Sequence, residues 1–139
     1  MMRWSDRLRD GRPHQVKPVP VTIAGMQKGQ TMLVPSARIV DAFIRRLPRG
    51  RLLDVRTLRA RMARRYRAEV TCPIAMGFIL RIVAEAAWEA RQAGAPEAAI
   101  APVWRVPDDD SPTLKKLPRP AAAWFRVRRA AEARQEIPA

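Results

Sequence analysis

The chain has 139 residues, is 47% hydrophobic and 29% charged, and carries a formal net charge of +14. That length suits one domain, and the apolar share excludes a disordered polybasic chain. A single cysteine, Cys72, and a single histidine, His14, exclude an intramolecular disulfide and a cysteine zinc cluster, and leave little for Ser-His-Asp or Cys-His machinery.

Residues 1–35 read as an arm. Met1 to Gly11 mixes charges and has no apolar run, so no secretory signal is expected. Trp4 and Leu8 allow one helical turn, after which Gly11, Pro13, Pro18 and Pro20 are expected to prevent regular structure. Two β-rich runs, 19–24 and 31–34, are parted by Gly25 to Gly29 and predict a weak hairpin. Ser36 is a good N-cap, and Ile39, Val40, Phe43, Ile44 and Leu47 follow at helical spacing, which predicts a helix over 37–47. Pro48-Arg49-Gly50 stops it. After a short extended Leu52-Leu53, Asp54 caps a second helix over 55–66, with Val55, Leu58 and Met62 inward and arginines outward.

Val70 is a connector. Thr71 is expected to cap a long third helix, with Pro73 in its first turn, where a missing N–H costs nothing. This helix runs to about Ala93 and Gly94 ends it. Ile74, Phe78, Ile82, Ala86 and Ala90 are expected to form its apolar face. Its apolar stretch is broken by Arg81 and followed by Glu85, too short and too charged to cross a membrane. A cytoplasmic, nucleoid-associated protein is the expectation. Residues 101–106 predict a strand, Asp108 to Pro112 a turn, and 113–117 a second short strand, together a β-wing. Asp108 to Asp110 lacks the glycine and glutamate of a calcium loop, so no metal is expected. Pro120 opens a final Ala- and Arg-rich helix over 121–135, with Trp124, Phe125 and Val127 placed to dock it and Arg126, Arg128, Arg129 and Arg134 adding charge. The predicted class is mainly α with a small β part: an extended arm over 1–35, a winged helix-turn-helix core over 36–118, and a basic C-terminal helix over 119–139.

Ten arginines fall between positions 45 and 67, opposed only by Asp54. So dense a charge repels itself unless it faces something negative, and it steers the protein toward polyanions. Of the 27 basic residues only four are lysine. The arginine fork matches phosphate and the guanine edge in two-point geometry, which lysine cannot do.

Three stretches carry a resemblance. Leu47-Pro48-Arg49-Gly50-Arg51-Leu52-Leu53-Asp54-Val55-Arg56-Thr57-Leu58 follows the pattern I-P-x-G-x-V-x-T-Y-x-x-I. Arg81-Ile82-Val83-Ala84-Glu85-Ala86-Ala87 follows R-A-V-G-x-A-M, and Pro102-Val103-Trp104-Arg105-Val106 follows P-C-H-R-V. In this order they resemble the DNA-binding domain of the alkylguanine-DNA alkyltransferases. In that family the cysteine of the third motif takes the alkyl group, and the neighbouring histidine helps to make the thiolate through a water. Val103 and Trp104 stand in those places. Valine has no nucleophile and tryptophan cannot relay a proton as imidazole does. What remains is similar to the alkyltransferase-like proteins, which carry another residue, often tryptophan, for the cysteine and bind damaged guanines for other repair factors. Here the tryptophan sits one place later. Val55 replaces the tyrosine that turns the target phosphate, and Ala84, beside Glu85, replaces the glycine of the recognition helix.

The resemblance implies no cofactor, no catalytic residue, duplex DNA as partner, and other repair proteins beside it. Arg81 matches the base-displacing arginine; its alternative is an ion pair with Glu85, four residues on. Val103 and Trp104 would form the altered-base pocket, with Trp104 stacking on the base; aromatic–base stacking is worth roughly 1–3 kcal/mol. The alternative is a core tryptophan. Arg105 supports its loop or touches DNA. Arg56, Arg59, Arg61, Arg64 and Arg65 would contact phosphates, which fix register rather than sequence choice. Lys115 and Lys116 lie where a wing would cross the backbone, or are simply solvated. Cys72 is a helix-start thiol whose thiolate the dipole favours, or a small buried residue. The leading expectation is a non-catalytic DNA-binding protein recognising alkylated or otherwise damaged guanine. The alternatives are a repair enzyme using Cys72 or Glu85, and a general RNA- or nucleoid-binding protein.

Overall fold

A computed structural model describes residues 3–107 and 111–134. The elements in chain order are α1 (Trp4–Asp10), β1 (Gln15–Pro18), β2 (Thr31–Val34), α2 (Ala37–Arg45), α3 (Val55–Arg65), β3 (Val70–Thr71), α4 (Pro73–Gln92), α5 (Pro112–Lys116) and α6 (Arg119–Arg134). Short 3-10 turns occur at Glu97–Ala99 and Val103–Arg105. The fold is thus mainly helical with one small three-stranded sheet.

Helix α4 is the centre of the core. Met76, Leu80, Val83, Ala84 and Ala87 are its buried apolar residues. Val40 and Ile44 of α2, Leu58 and Met62 of α3, Leu114 of α5, and Trp124 and Phe125 of α6 share one cluster with them. The stripe expected to face inward, Ile74 to Ala90 in steps of four, does not: Ile74 and Phe78 are exposed. Steps of four advance about 40° each around a helix, so such a row drifts off any one face. It begins in solvent at Ile74 and ends where Ala86 and Ala90 line a small cavity with Leu8 of α1.

The helix starts follow local chemistry. The Ser36 hydroxyl accepts from the Ile39 N–H at 3.3 Å, and an Asp54 carboxylate oxygen accepts from the Thr57 N–H at 2.6 Å. Pro73 sits in the first turn of α4, and Gly94, at φ +88°, follows its end. Thr71 is not the cap of α4. It belongs to β3, and its hydroxyl donates to the Arg59 carbonyl at 2.8 Å, while Cys72 takes the N-cap position without a side-chain bond.

The arm is more ordered than its prolines predict. Its strand is Gln15–Pro18 rather than 19–24, and it pairs antiparallel with β2, Gln15 opposite Val34 and Pro18 opposite Thr31. Pro18 is tolerated because β1 is an edge strand and Pro18 is its last residue. Val19 and Gln30 then close a wide loop, with the Val19 N–H donating to the Gln30 carbonyl at 2.8 Å. Val19, Met26 and Met32 form a second, smaller apolar cluster beneath it. On its other edge β2 pairs parallel with β3, Met32 opposite Val70 and Leu33 opposite Thr71. Helix α1 docks on α4 through Glu89, whose carboxylate accepts from the Trp4 N–H at 3.0 Å and the Ser5 hydroxyl at 2.9 Å.

The expected β-wing is corrected. Where strands were predicted over 101–106 and 113–117 stand the Val103–Arg105 turn and helix α5, and no wing follows the helices among the described residues. The Asp108–Asp110 turn lies outside those residues. Ala101, Pro102, Val103, Trp104 and Val106 are all buried, with none of the alternation of a half-exposed strand. Without a neighbouring strand, backbone N–H groups must be satisfied locally. The Arg105 N–H turns back to Pro102 and that of Val106 to Val103, each at 3.0 Å. Pro112 and the Ser111 hydroxyl, which accepts from the Thr113 N–H at 3.3 Å, start a helix instead.

Leu33, fully buried on the central strand, joins the arm to the main core. Leu33→Ala is expected to cost about 2–5 kcal/mol of unfolding free energy in urea titration. A loss under about 0.5 kcal/mol, the range of ordinary surface changes, would show that the arm is not part of the cooperative unit.

Candidate nucleic-acid interface

Helix α3 separates its residues by periodicity. Leu58, Met62 and Ala63 turn into the core, which leaves Arg56, Arg61, Arg64 and Arg65 exposed and Arg59 half-buried at the margin. Among the described residues, ion pairs engage a different set of arginines. Arg3 and Arg9 pair with Asp6, Arg45 with Asp41, Arg81 with Glu85, Arg105 with Glu132, and Arg128 with Glu97 and Glu132. Arg56, Arg59, Arg61, Arg64 and Arg65 take part in none of these. The nearest acid in sequence, Asp54, is occupied as a cap. Its hydrogen bonds from Thr57, and after them the charges of Arg56 and Arg129, hold its carboxyl below the usual carboxylate range.

Arg56 and Arg59 border two adjoining grooves. One, of about 420 Å³, runs between the starts of α3, α4 and α5 and is also lined by Pro73, Gly77, Leu80 and Thr113. The other, of about 480 Å³, lies between α3 and the loop of the arm, against Gly25, Ala60 and Val70. Lys115 and Lys116 are exposed on the turn of α5 that follows Thr113. The structure thus brings Arg56, Arg59 and the α5 segment that carries Lys115 and Lys116 to one groove. Arg64 and Arg65 continue along the outer face of α3.

Arg81 stands apart from these. Its Nε lies 3.7 Å from a carboxylate oxygen of the buried Glu85, and its guanidinium sits 5.5 Å from the ring centre of Trp4. Burial pushes the Glu85 carboxyl up, against the opposing pull of Arg81. Glu85 is therefore engaged with its arginine. Cys72 is half-buried and packs against the cluster of Val19, Met26 and Met32.

Val103, Trp104 and Arg105 lie elsewhere. Val103 is fully buried and Trp104 is 2% exposed. The Trp104 ring lies 5.3 Å from that of Trp124 and 6.5 Å from that of Phe125, both on α6. The Trp104 indole N–H donates to Glu132, which is itself fully buried on α6. The Glu132 carboxylate also accepts from the Arg105 Nε and from the Gly50 N–H, each at 2.8 Å. Arg105 further donates to the Leu47 carbonyl at 2.7 Å, and Arg129 to the carbonyls of Trp104 and Leu53 at 3.2 and 3.3 Å. Val103 and Trp104 are therefore packed beneath α6 and Arg105 braces its own loop, while Trp104 and Arg105 also border an open cavity of about 350 Å³ shared with Arg45, Arg49, Pro102 and Arg128.

Sequence reasoning passed over Glu132. A carboxylate in an Arg-rich helix reads as a solvated charge, although it is the only acid in α6 and lies four residues after Arg128. Burial alone would raise its pKa, but the hydrogen bonds from Arg105, Gly50 and Trp104 outweigh that and hold it below the ordinary carboxylate value.

No cluster of metal-ligating side chains occurs among the described residues, and no helix among them is long and apolar enough to cross a membrane. The chain matches no protein-family model, no curated protein and no solved structure.

A folded-state pKa depressed below the unfolded one stabilises above the unfolded value, and that stability is lost as pH falls through the folded value. Glu132→Gln leaves buried donors of Arg105 and Trp104 without their charge partner, and is expected to cost about 3 kcal/mol at neutral pH. The variant should also lose less stability than the wild type on acidification below about pH 4, because it has no carboxylate to protonate. Urea titrations at neutral and acid pH check both; an equal deficit at the two values would show that Glu132 is not ionised in the fold.

Proposed function

We propose that this chain is a non-catalytic, duplex-DNA-binding protein of the alkyltransferase-like kind. The observation that carries the reading is the outer face of α3. Arg56, Arg61, Arg64 and Arg65 are exposed there and form no ion pair among the described residues, while Asp41, Glu85, Glu97 and Glu132 pair with other arginines. Arg61 and Arg65 are four residues apart and Arg61 and Arg64 three, spacings at which like charges destabilise a helix by about 0.2–0.5 kcal/mol each. A phosphate backbone removes that repulsion and releases its own counterions.

In this reading α3 and α4 are the helix pair of a helix-turn-helix core, and helix α5 takes the place of the predicted wing. The grooves beside Arg56 and Arg59 admit the sugar-phosphate strand, with Lys115 and Lys116 further along α5, whose first residues line one of them. Catalysis has no support. Val103 offers no nucleophile, Cys72 packs against the small cluster under the arm, and Glu85 is tied to Arg81. Selection of an altered guanine rests on the three ordered motifs. The Trp104 ring is packed under α6 and its indole N–H is taken by Glu132, which favours instead a second reading, general duplex binding in a nucleoid.

Titration of unmodified and alkylguanine-containing duplexes at several salt concentrations tests this. Log affinity should fall with log salt, and the slope should shrink by roughly 0.9 for each phosphate-contacting arginine removed, as in Arg61→Gln, Arg64→Gln and Arg65→Gln. Tighter binding to the alkylated duplex supports the repair reading, and equal binding supports the nucleoid one. Weak, salt-insensitive binding to both overturns the proposal. A structured RNA that outcompetes duplex DNA does so as well, since A-form grooves present a different surface.

A further inference from the structure

Helix α4 leaves two large apolar side chains in solvent. Phe78 is 66% exposed and Ile74, one turn before it, 50%. Gly77, beside Phe78, is exposed, and a Cβ placed on it would meet nothing within 4 Å. The helical repeat places Ile74 and Phe78 on the stripe that carries Arg81 and Glu85. Further along α4, Arg81 lies beside the Trp4 ring of α1, and Glu89 caps the start of α1. The two turns before that contact are bare. On their other flank, Pro73, Gly77 and Leu80 line the groove that Arg56 and Arg59 border.

A two-thirds exposed phenylalanine therefore stands between a row of guanidinium groups that form no ion pair among the described residues and a helix-borne arginine. The charge on that flank selects a polyanion, and an aromatic face selects something flat to stack on. Duplex DNA supplies both, phosphates at its edge and base pairs between them. Arg81, the arginine that matches the base-displacing position, is held by Glu85 and Trp4. Phe78 lies nearly one turn earlier and has no such engagement.

We propose that Phe78, backed by Ile74, is an apolar wedge that enters between adjacent base pairs and unstacks them when α4 meets the duplex. Proteins that bend DNA use exposed Phe, Ile, Leu or Met in this way, with kinks of about 20–90°. Open space at Gly77 lets the nucleic-acid strand come close to the helix beside the wedge. This inference rests on the duplex-binding reading above.

The test uses the full chain and a duplex carrying 2-aminopurine at successive positions, with donor and acceptor dyes at its ends. Wild type is expected to raise 2-aminopurine fluorescence at one step and to bring the ends closer. Phe78→Ala, a surface change that spares the core, should abolish both signals and weaken binding roughly ten-fold, within the range set by loss of one stacked ring. It should leave the salt slope unchanged, because the phosphate contacts remain. Phe78→Trp should restore both signals. Unchanged fluorescence and bending in Phe78→Ala, with the salt slope intact, overturns the wedge alone. Absence of DNA binding by the wild type overturns the wedge together with the duplex-binding reading. Self-association of the wild type that Phe78→Ala abolishes, seen by sedimentation without any DNA unstacking, would make the stripe a protein interface and also overturn the wedge.

Discussion

Glu132 is a buried carboxylate that accepts from the Trp104 indole, the Arg105 guanidinium and the Gly50 amide. Those donors come from two chain segments far from α6 in sequence, the loop after α2 and the turn at Val103–Arg105. An ion placed in a protein interior loses its hydration, so it persists only where several donors replace water. Here they do, and Arg105 in turn reaches the Leu47 carbonyl. The consequence is a three-way clasp in which the C-terminal helix lies over the very position that the alkyltransferase resemblance marks as a base pocket. The stacked rings of Trp104, Trp124 and Phe125 pack beside it.

The arginines divide by the same electrostatic logic. Arg45, Arg81, Arg105 and Arg128 each sit beside a carboxylate, and the pairs of Arg105 and Arg128 tie α6 to the segments before it. The set on the outer face of α3 forms no ion pair among the described residues, and of that set only the charge of Arg56 is felt by the capping carboxylate of Asp54. A structural account of the first set is complete without a partner molecule. The second set is left without an ion pair among the described residues, which is why the proposed DNA interface is placed on α3 and not around Trp104 and Arg105.

Much of the helical framework was legible before any tertiary contact was known. Ser36, Asp54, Pro73 and Gly94 act within a turn of the backbone they control, so their effect can be read from neighbours in sequence. The outward arginines of α3 follow from its Leu58 and Met62 spacing. The region after α4 was misread because its residues are apolar on every side. Such a run is consistent with a buried strand or a buried turn, and the choice depends on whether another strand lies alongside to take its hydrogen bonds. Among the described residues no strand does; one bond comes from the Leu53 N–H to the Arg105 carbonyl, and the Arg105 and Val106 N–H groups turn back on their own segment. The arm erred the other way: Pro18 reads as a breaker, yet as the last residue of an edge strand it costs no ladder bond.

What the sequence determined by itself is therefore what short-range physics controls: caps, helix periods, the polarity of α3, and a strongly basic net charge. The tertiary structure alone decided which charges are spent internally and which side chains are hidden. Trp104 and Glu132 lie 28 positions apart, and Leu33 and Thr71 meet only through a parallel strand pair. Burial is a property of how distant segments meet. For that reason the sequence could name Trp104 as either pocket or core, and only the packing of α6 made it core, while leaving Phe78 in the open.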